Sequence, residues 1–158
     1  MNRRNLLKTA AVSSLLAGLG LSLPKSHAET FEISKTEEEW KAILTPAQFA
    51  VLRQEDTERP FTSALLDEHR KGTFNCAACA LPLYASDAKY DSGTGWPSFF
   101  DVLPDAVGKK EDNTLFSTRT EIHCRRCGGH TGHVFDDGPK PTGLRYCMNG
   151  VALTFAVA

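Results

Sequence analysis

The stretch HCRRCGGHTGHVF, residues 123–135, decides the fold, because its C-x-x-C pair is matched by a second pair in NCAAC, residues 75–79. The pairs are separated by 44 residues, a pattern typical of two distant turns that each offer two thiolates to one tetrahedral metal ion. The sequence therefore predicts one structural zinc ion. Its ligands would be Cys76, Cys79, Cys124 and Cys127.

Other interpretations of these cysteines stay open at this level. In an oxidising compartment the pairs would form disulfides, and a C-x-x-C pair is also the form of a redox-active dithiol. The spacing favours zinc over both. Arg125 and Arg126 lie inside the second pair, so we expect them either to donate hydrogen bonds to the four negatively charged thiolates or to face solvent.

The residues before the first cysteine pair predict helices. Thr36 with Glu39 forms a capping box, and Thr45 with Gln48 repeats this start signal. A third, short helix is expected at residues 63–69. Together these elements predict helices at the N-terminal side of the domain.

From residue 72 onward the sequence is typical of strands. Gly, Pro, Asp and Ser recur every few residues between short segments that suit strands, at 115–118, 132–135 and 151–155. The sequence therefore predicts a mainly β fold, in which the helices pack beside or cap an antiparallel sheet.

The first 28 residues predict an export signal. Arg3, Arg4 and Lys8 precede an apolar run at residues 10–23, and the small residues of Ser26-His27-Ala28 are typical of an export-peptidase site. The adjacent arginines resemble a twin-arginine signal for proteins exported after folding, with an ordinary basic leader as the alternative. The run is shorter than the roughly 18 residues that span a bilayer, so we expect cleavage, no permanent membrane anchor and a periplasmic or otherwise exported protein.

Residues 29–158 predict a single domain, because the length matches one folding unit and no internal repeat is present. Four of the 18 Lys and Arg residues and none of the 19 Asp and Glu residues lie in the first 28, so the remainder has a formal charge of −5. A mildly acidic domain without a basic stripe argues against nucleic acid as the main partner. We also expect a monomer.

One cysteine, Cys147, lies outside the two pairs. Arg145 is two residues before it, so in a strand both side chains project from the same face and the guanidinium would favour the thiolate. A nucleophilic thiolate also needs a proton donor and an orienting acid nearby. The candidates are His130, His133 and Asp137.

Several segments resemble the signature sequences of the methionine-R-sulfoxide reductases of the B type. They are GTGWPSF (93–99), HTGHVF (130–135), DGP (137–139) and GLRYCMNG (143–150), with TERPFT (57–62) and both cysteine pairs. The resemblance covers roughly residues 36–156. It implies two antiparallel sheets that form a barrel-like core with flanking helices, and reduction of the R epimer of methionine sulfoxide, in proteins or free, to methionine.

The resemblance also implies roles for the residues around Cys147, which would be the nucleophile. His130 or His133 would protonate the sulfoxide oxygen, because oxide cannot leave without a proton. Asp137 would orient or tune the imidazole, and Arg145 would hold the thiolate.

Three further residues are implied to contact the substrate. Trp96 would form an aromatic wall for the S-methyl group, a suitable surface for a polarizable sulfur. Phe135 would close the apolar side of the pocket, and Asn149 would donate a hydrogen bond. For these last two a purely structural role stays open.

Thr94 departs from many relatives, which carry a resolving cysteine at this position. Threonine forms no disulfide, and the other four cysteines are assigned to zinc. The predicted product on Cys147 is a sulfenic acid, which a second thiol normally clears. We therefore expect an external reductant, either thioredoxin-like or a small thiol.

Two alternatives to a sulfoxide reductase remain. A thiol–disulfide oxidoreductase would use one of the C-x-x-C pairs and would contain no zinc. A non-enzymatic zinc module would bind a partner through its sheet and would not need Cys147.

Overall fold

The computed structural model describes residues 30–114 and 117–158. The predicted export signal at residues 1–28 lies outside the described residues, as do the first two residues of the strand predicted at 115–118. The last two residues of that prediction precede a strand that begins at Arg119. No helix in the described ranges has the length and apolar character that spanning a bilayer requires.

Two helices begin the described domain, α1 (Glu37–Ile43) and α2 (Pro46–Gln54). Both start with the predicted capping boxes. Thr36 Oγ1 accepts a hydrogen bond from Glu39 N at 3.2 Å, and the equivalent pair at the start of α2 has the same distance. Each box satisfies backbone N–H groups that a helix start leaves unpaired. The buried side chains of the two helices are Trp40, Phe49, Val51 and Leu52.

The prediction of a third helix at residues 63–69 is wrong. Leu66 N donates to Ser63 O at 3.2 Å and Glu68 N donates to Leu65 O at 3.4 Å, so the segment forms turns instead of a helix. Two side chains compete with helical bonding here. Ser63 Oγ accepts from Leu65 N, and Lys89 Nζ donates to Leu66 O at 2.7 Å.

Within residues 30–114 and 117–158, nine strands form two antiparallel sheets. The first consists of β1 (Gly72–Cys76), β2 (Pro82–Ala85) and β9 (Leu153–Val157), in the order β2-β1-β9. The second consists of β3 (Lys89–Tyr90), β4 (Ser98–Phe99), β5 (Val107–Asp112), β6 (Arg119–Cys124), β7 (His130–Phe135) and β8 (Arg145–Met148). Its order is β3-β4-β8-β7-β6-β5. Two 3-10 helices lie between strands, Ser86–Ala88 and Gly150–Ala152.

This architecture confirms the predicted mainly β fold with two antiparallel sheets, but the sheets do not close into a barrel. Within the described residues β3 and β5 each pair with one strand only, so both edges of the six-stranded sheet stay open. A core between two open sheets replaces the expected barrel-like interior.

The core lies where the two sheets face each other. Tyr84 of the first sheet stacks on Phe99 of the second, with ring centroids 4.3 Å apart. The Tyr84 hydroxyl donates to the Met148 sulfur at 2.8 Å, and Phe74 packs edge-on against Phe99. All four side chains are fully buried. Since side chains alternate along a strand, Met148 facing the core turns its neighbour Cys147 to the opposite face of the sheet.

Candidate active site and metal site

Six residues form a row across the second sheet, on the face opposite to the core. Residues that lie directly opposite each other on antiparallel strands project from one face. Strand register pairs each member of the row with the next. In strand order they are Tyr90, Ser98, Cys147, His133, Glu121 and Lys110.

Cys147 is partly exposed and has polar neighbours. Its sulfur lies 3.8 Å from Thr94 Oγ1, and Thr94 Oγ1 lies 2.8 Å from Ser92 Oγ. Ser92 in turn contacts Ser98 Oγ at 2.7 Å, so hydroxyl groups line this side of the thiol. The thiol is therefore accessible to a reactant and is not sealed among hydrocarbon side chains.

Each predicted histidine is bound to a carboxylate that the sequence analysis missed. His133 Nε2 lies 2.8 Å from Asp112 Oδ2, and His130 Nδ1 lies 3.0 Å from Glu121 Oε1. The two imidazole rings are 5.4 Å apart. His130 is almost completely buried, whereas His133 is partly exposed and lies directly opposite Cys147.

Burial and charge act in opposite directions on His133. Desolvation, the largest cause, lowers its pKa, and the hydrogen bond to Asp112 raises it. Hydrogen bonds from Thr114, and then from His133 and Arg119, hold the pKa of Asp112 far below its usual range. Asp112 therefore stays ionised and fixes the orientation of the imidazole.

Asp137, which was predicted to orient an imidazole, forms an ion pair with Arg145 and contacts neither His130 nor His133. The guanidinium makes two hydrogen bonds to the carboxylate, both 2.8 Å long, and lies over the Phe135 ring at 4.4 Å. The hydrogen bond that Arg145 donates to Asp137 is the largest cause that raises the pKa of Arg145, and the Coulombic interaction with Cys147 contributes as well. The predicted orienting carboxylate thus fixes a cation next to Cys147 instead of an imidazole.

Trp96 and Asn149 are joined through the backbone of Glu58. Trp96 Nε1 donates to Glu58 O at 2.8 Å, and Asn149 Oδ1 accepts from Glu58 N at 2.9 Å. Asn149 is 4% exposed, and its Nδ2 donates to Thr131 O at 3.2 Å. These contacts show that Asn149 has a structural role, and its hydrogen bond to the substrate stays a prediction. Phe135, the third predicted substrate contact, supports the guanidinium of Arg145.

The four predicted metal ligands converge. Their sulfur atoms lie within 4.8 Å of one another, with Cys76 to Cys127 at 3.7 Å and Cys79 to Cys124 at 3.5 Å. A tetrahedral zinc site with Zn–S bonds of about 2.3 Å has sulfur–sulfur edges of about 3.8 Å, whereas a disulfide measures about 2.05 Å. The crowded thiols also form hydrogen bonds with one another. These hydrogen bonds raise the pKa of Cys76 and lower the pKa of Cys79. In both cases the hydrogen bond with Cys124 is the largest cause.

The two cysteine turns have the same backbone form. In each, the residue after the second cysteine adopts a positive φ, 57° at Ala80 and 65° at Gly128. Each of these residues donates its N–H to the carbonyl of the first cysteine, at 2.8 Å. One turn joins β1 to β2 and the other joins β6 to β7, so a shared metal ion would tie the two sheets together.

The two arginines of the second pair bond to carbonyl groups. Arg125 Nε donates to Asp105 O, and Arg126 Nη1 lies 3.4 Å from Cys79 O. Arg53 of α2 makes a further contact that the sequence analysis missed, with two nitrogens each 3.1 Å from Cys127 O. Two of these cations, Arg53 and Arg126, therefore bond to backbone carbonyl groups of the cluster cysteines.

Comparison with known proteins gives a consistent result. The family model described as the SelR domain matches residues 44–157. A protein of Methanosarcina barkeri called peptide methionine sulfoxide reductase MsrB is 56% identical over 124 residues, 78% of this chain and 87% of the relative. Proteins of the same description from Leptospira interrogans and Agrobacterium fabrum are 53% and 51% identical, over 79% and 78% of this chain and 96% and 93% of their own length.

Proposed function

The chain belongs to the SelR family, which includes the MsrB peptide methionine sulfoxide reductases, and from this premise we propose how its residues reduce methionine-R-sulfoxide to methionine. The observation that carries the proposal is the position of Cys147. A partly exposed thiol lies opposite an imidazole on one side and next to a fixed guanidinium on the same strand. These are the groups that reduction of a sulfoxide by a thiolate requires.

In the proposed reaction the Cys147 thiolate attacks the sulfoxide sulfur while the sulfoxide oxygen takes a proton. The S–O bond of the sulfoxide breaks, its oxygen is transferred with the proton to the Cys147 sulfur as a sulfenic acid, and methionine leaves with its sulfur reduced by two electrons. Arg145 is proposed to place its positive charge near the reacting sulfur. Its own position is fixed by Asp137 and by the Phe135 ring.

We assign the proton transfer to His133. Among the two histidines it is the one opposite Cys147 and partly exposed, while His130 is buried against Glu121. Asp112 holds His133 Nε2, which leaves Nδ1 for the substrate oxygen. Trp96, the aromatic side chain held beside Thr94, is proposed to contact the S-methyl group.

The sulfenic acid is proposed to be cleared by an external thiol. Thr94, 3.8 Å from the Cys147 sulfur, occupies the place from which a resolving thiol would act. The other four cysteines lie together in the metal cluster. Two thiols of a thioredoxin-like protein or of a small-thiol reductant would restore Cys147 and release one disulfide and one water molecule.

We propose zinc as the ion in the four-cysteine cluster, with Cys76, Cys79, Cys124 and Cys127 as its ligands. The sulfur–sulfur distances support a tetrahedral ion of this size. Bound zinc would supply no reaction chemistry here, since all four coordination positions are filled by protein. The cluster also disfavours the alternative of a redox-active C-x-x-C pair, because the four sulfurs converge on one point.

The proposed substrates are oxidised proteins that carry methionine-R-sulfoxide, and the proposed location is the periplasm or another exported compartment. Arg3-Arg4, the apolar run and the small residues before residue 29 support export by the twin-arginine route. Export after folding would let the thiols bind metal before they meet an oxidant. Cell fractionation with N-terminal sequencing of the mature protein tests this, and an uncleaved cytoplasmic product would contradict it. The monomeric state also stays a prediction.

The activity is tested by offering both sulfoxide epimers to the wild type and to Cys147→Ser, with methionine release as the readout. We expect the wild type to reduce only the R epimer and Cys147→Ser to be at least about 1,000-fold slower. Trapping of a sulfenic acid on Cys147 after one turnover without reductant tests the intermediate. A fully active Cys147→Ser variant would exclude the mechanism.

A further inference from the structure

Phe61 combines two unfavourable features at the surface. Its side chain is 71% exposed, the largest exposure among the exposed large apolar residues of the described chain. Its backbone has a φ of 63°, which is unusual for a bulky residue. Pro60 and Phe61 are the central residues of a turn, and a turn with a positive φ at its third residue normally takes glycine or asparagine there. The turn alone therefore gives no reason for an aromatic ring.

The ring is held in one place by the neighbouring glycine loop. Phe61 N donates to Gly95 O at 2.7 Å. A Cβ atom added to Gly95 would lie 2.9 Å from two ring carbons of Phe61, so the ring rests directly on the glycine backbone. Thr62 Oγ1 closes the turn with a hydrogen bond to Arg59 O. An exposed aromatic ring in a fixed position is pre-organised for binding.

Phe61 forms one wall of a cleft of about 280 Å³. This volume is just below the roughly 300 to 1,000 Å³ of pockets for small molecules, so the cleft suits a single side chain. Its apolar and aromatic lining consists of Phe61, Leu66, Tyr90, Trp96 and Pro97.

Two charged residues of the lining are bonded to the backbone. Lys89 Nζ donates to Leu66 O at 2.7 Å, and Asp91 Oδ1 accepts from Gly93 N at 2.8 Å. Asp67 and His69 complete the polar part of the lining. Since Lys89 and Asp91 are already hydrogen-bonded to the backbone, the aromatic walls are the main surface available to a ligand.

The cleft lies close to the Cys147 thiol, because the residue between two of its lining glycines contacts the sulfur. Gly93 and Gly95 line it, and Thr94 between them is 3.8 Å from the Cys147 sulfur. An extended polypeptide advances about 3.3 Å per residue. A chain whose oxidised methionine is at Cys147 therefore passes the cleft with a residue one to three positions away.

We propose that this cleft binds an apolar or aromatic side chain near the oxidised methionine of a polypeptide substrate, and that Phe61 is a specificity-determining residue for that neighbour. The inference rests on the proposed function, because it needs Cys147 to receive the sulfoxide. It makes the sequence around the oxidised methionine, and not the sulfoxide alone, a determinant of the rate.

The test uses Phe61→Gly, which removes the ring and leaves a residue that accepts the positive φ without strain. Ile43→Ala serves as the matched control, because Ile43 is another exposed apolar side chain, at the end of α1. Three substrates are compared by kcat/KM. They are N-acetyl-methionine-R-sulfoxide and two acetylated pentapeptides with a central methionine-R-sulfoxide, flanked on both sides by Leu or by Ser.

We expect the wild type to prefer the Leu-flanked over the Ser-flanked peptide by about tenfold, the typical discrimination of one apolar pocket. Phe61→Gly should lose this preference and keep its rate on N-acetyl-methionine-R-sulfoxide, while Ile43→Ala should match the wild type throughout. A retained preference in Phe61→Gly overturns the proposal. So does a variant whose single-turnover rates are normal but whose regeneration by thioredoxin is slow, since the cleft would then bind the reductant. A wild type that is inactive on all three substrates refutes the proposed function itself.

Discussion

Asp112→Asn is the substitution that best separates the proposed proton donor from its surroundings. The carboxylate lies 2.8 Å from His133 Nε2 and is held by Thr114 and Arg119. Asparagine keeps the size of the side chain and removes its charge. A hydrogen bond to a charged group contributes about 1.5 to 3 kcal/mol, so we expect kcat for the chemical step to fall about 10- to 150-fold with KM little changed.

The same substitution should also move the pH profile, with a definite sign. Burial lowers the pKa of His133 and Asp112 raises it. Without the carboxylate the raising cause is lost, and the pKa of His133 falls further. Because the imidazolium is the proposed acid, the decline of the rate on the alkaline side should begin at a lower pH in Asp112→Asn than in the wild type.

The measurement is single-turnover methionine formation without reductant, across a pH series, because regeneration by an external thiol could otherwise limit kcat. Glu111→Gln is the control. It removes a carboxylate one residue away, whose described contact is a hydrogen bond from Asn113. A slower Asp112→Asn with an unchanged alkaline limb would show that Asp112 does not act through the proton donor. An unaltered rate would exclude the role of the pair altogether.

Three further outcomes are expected. Thr94→Cys places a thiol within reach of Cys147, so one turnover without reductant should give an intrachain disulfide instead of a trappable sulfenic acid; continued trapping would count against the geometry. Cys79→Ser should abolish the binding of one zinc per chain, measured by metal analysis, and lower the melting temperature by about 10 °C or more; unchanged zinc content would exclude the cluster as the site. Gly132→Ala should cost about 1 to 3 kcal/mol in urea unfolding, because its Cβ would lie 2.1 Å from Cys147 O, whereas Gly143→Ala meets no atom within 4 Å and should cost only about 1 kcal/mol for its positive φ. Equal losses of stability in the two variants would show that the backbone shifts to relieve the contact between the added Cβ and Cys147 O of β8.

The sequence predicted those parts of the site that depend on local rules. Two-residue alternation placed Arg145 on the same face as Cys147, and the two C-x-x-C spacings placed four sulfurs together. The helix starts followed from side chains three residues apart. Each of these signals lies within a few residues of chain or in a metal pattern, so no knowledge of strand order was needed.

The partners of the histidines could not be predicted, because they depend on strand register. Asp112 and Glu121 come from β5 and β6, and a register shift between Ile122 and His123 sets which residues of β6 lie opposite β7. The only sequence signal was the alternation of Arg119 and Glu121 with uncharged residues along β6.

Asp137 was assigned to an imidazole because it follows His133 by four residues. β7 ends at Phe135, and the turn that follows is closed by a hydrogen bond from Gly138 N to Gly143 O. The turn brings Asp137 to Arg145 at the start of β8 instead. Asp137 is close to His133 in sequence, but the chain reverses direction between Asp137 and Arg145. The reversal brings the Asp137 carboxylate to the guanidinium and not to the imidazole.

The burial of Met148 against Tyr84 has a consequence for how the protein withstands oxidants. The chain contains two methionines, Met1 and Met148. The second is completely buried beside Cys147, and its thioether lone pair already accepts the Tyr84 hydroxyl. Oxidation would place a polar, chiral sulfoxide in that space. Met148 is the only methionine after residue 28. Its burial protects the protein from methionine oxidation, the damage that its family reverses.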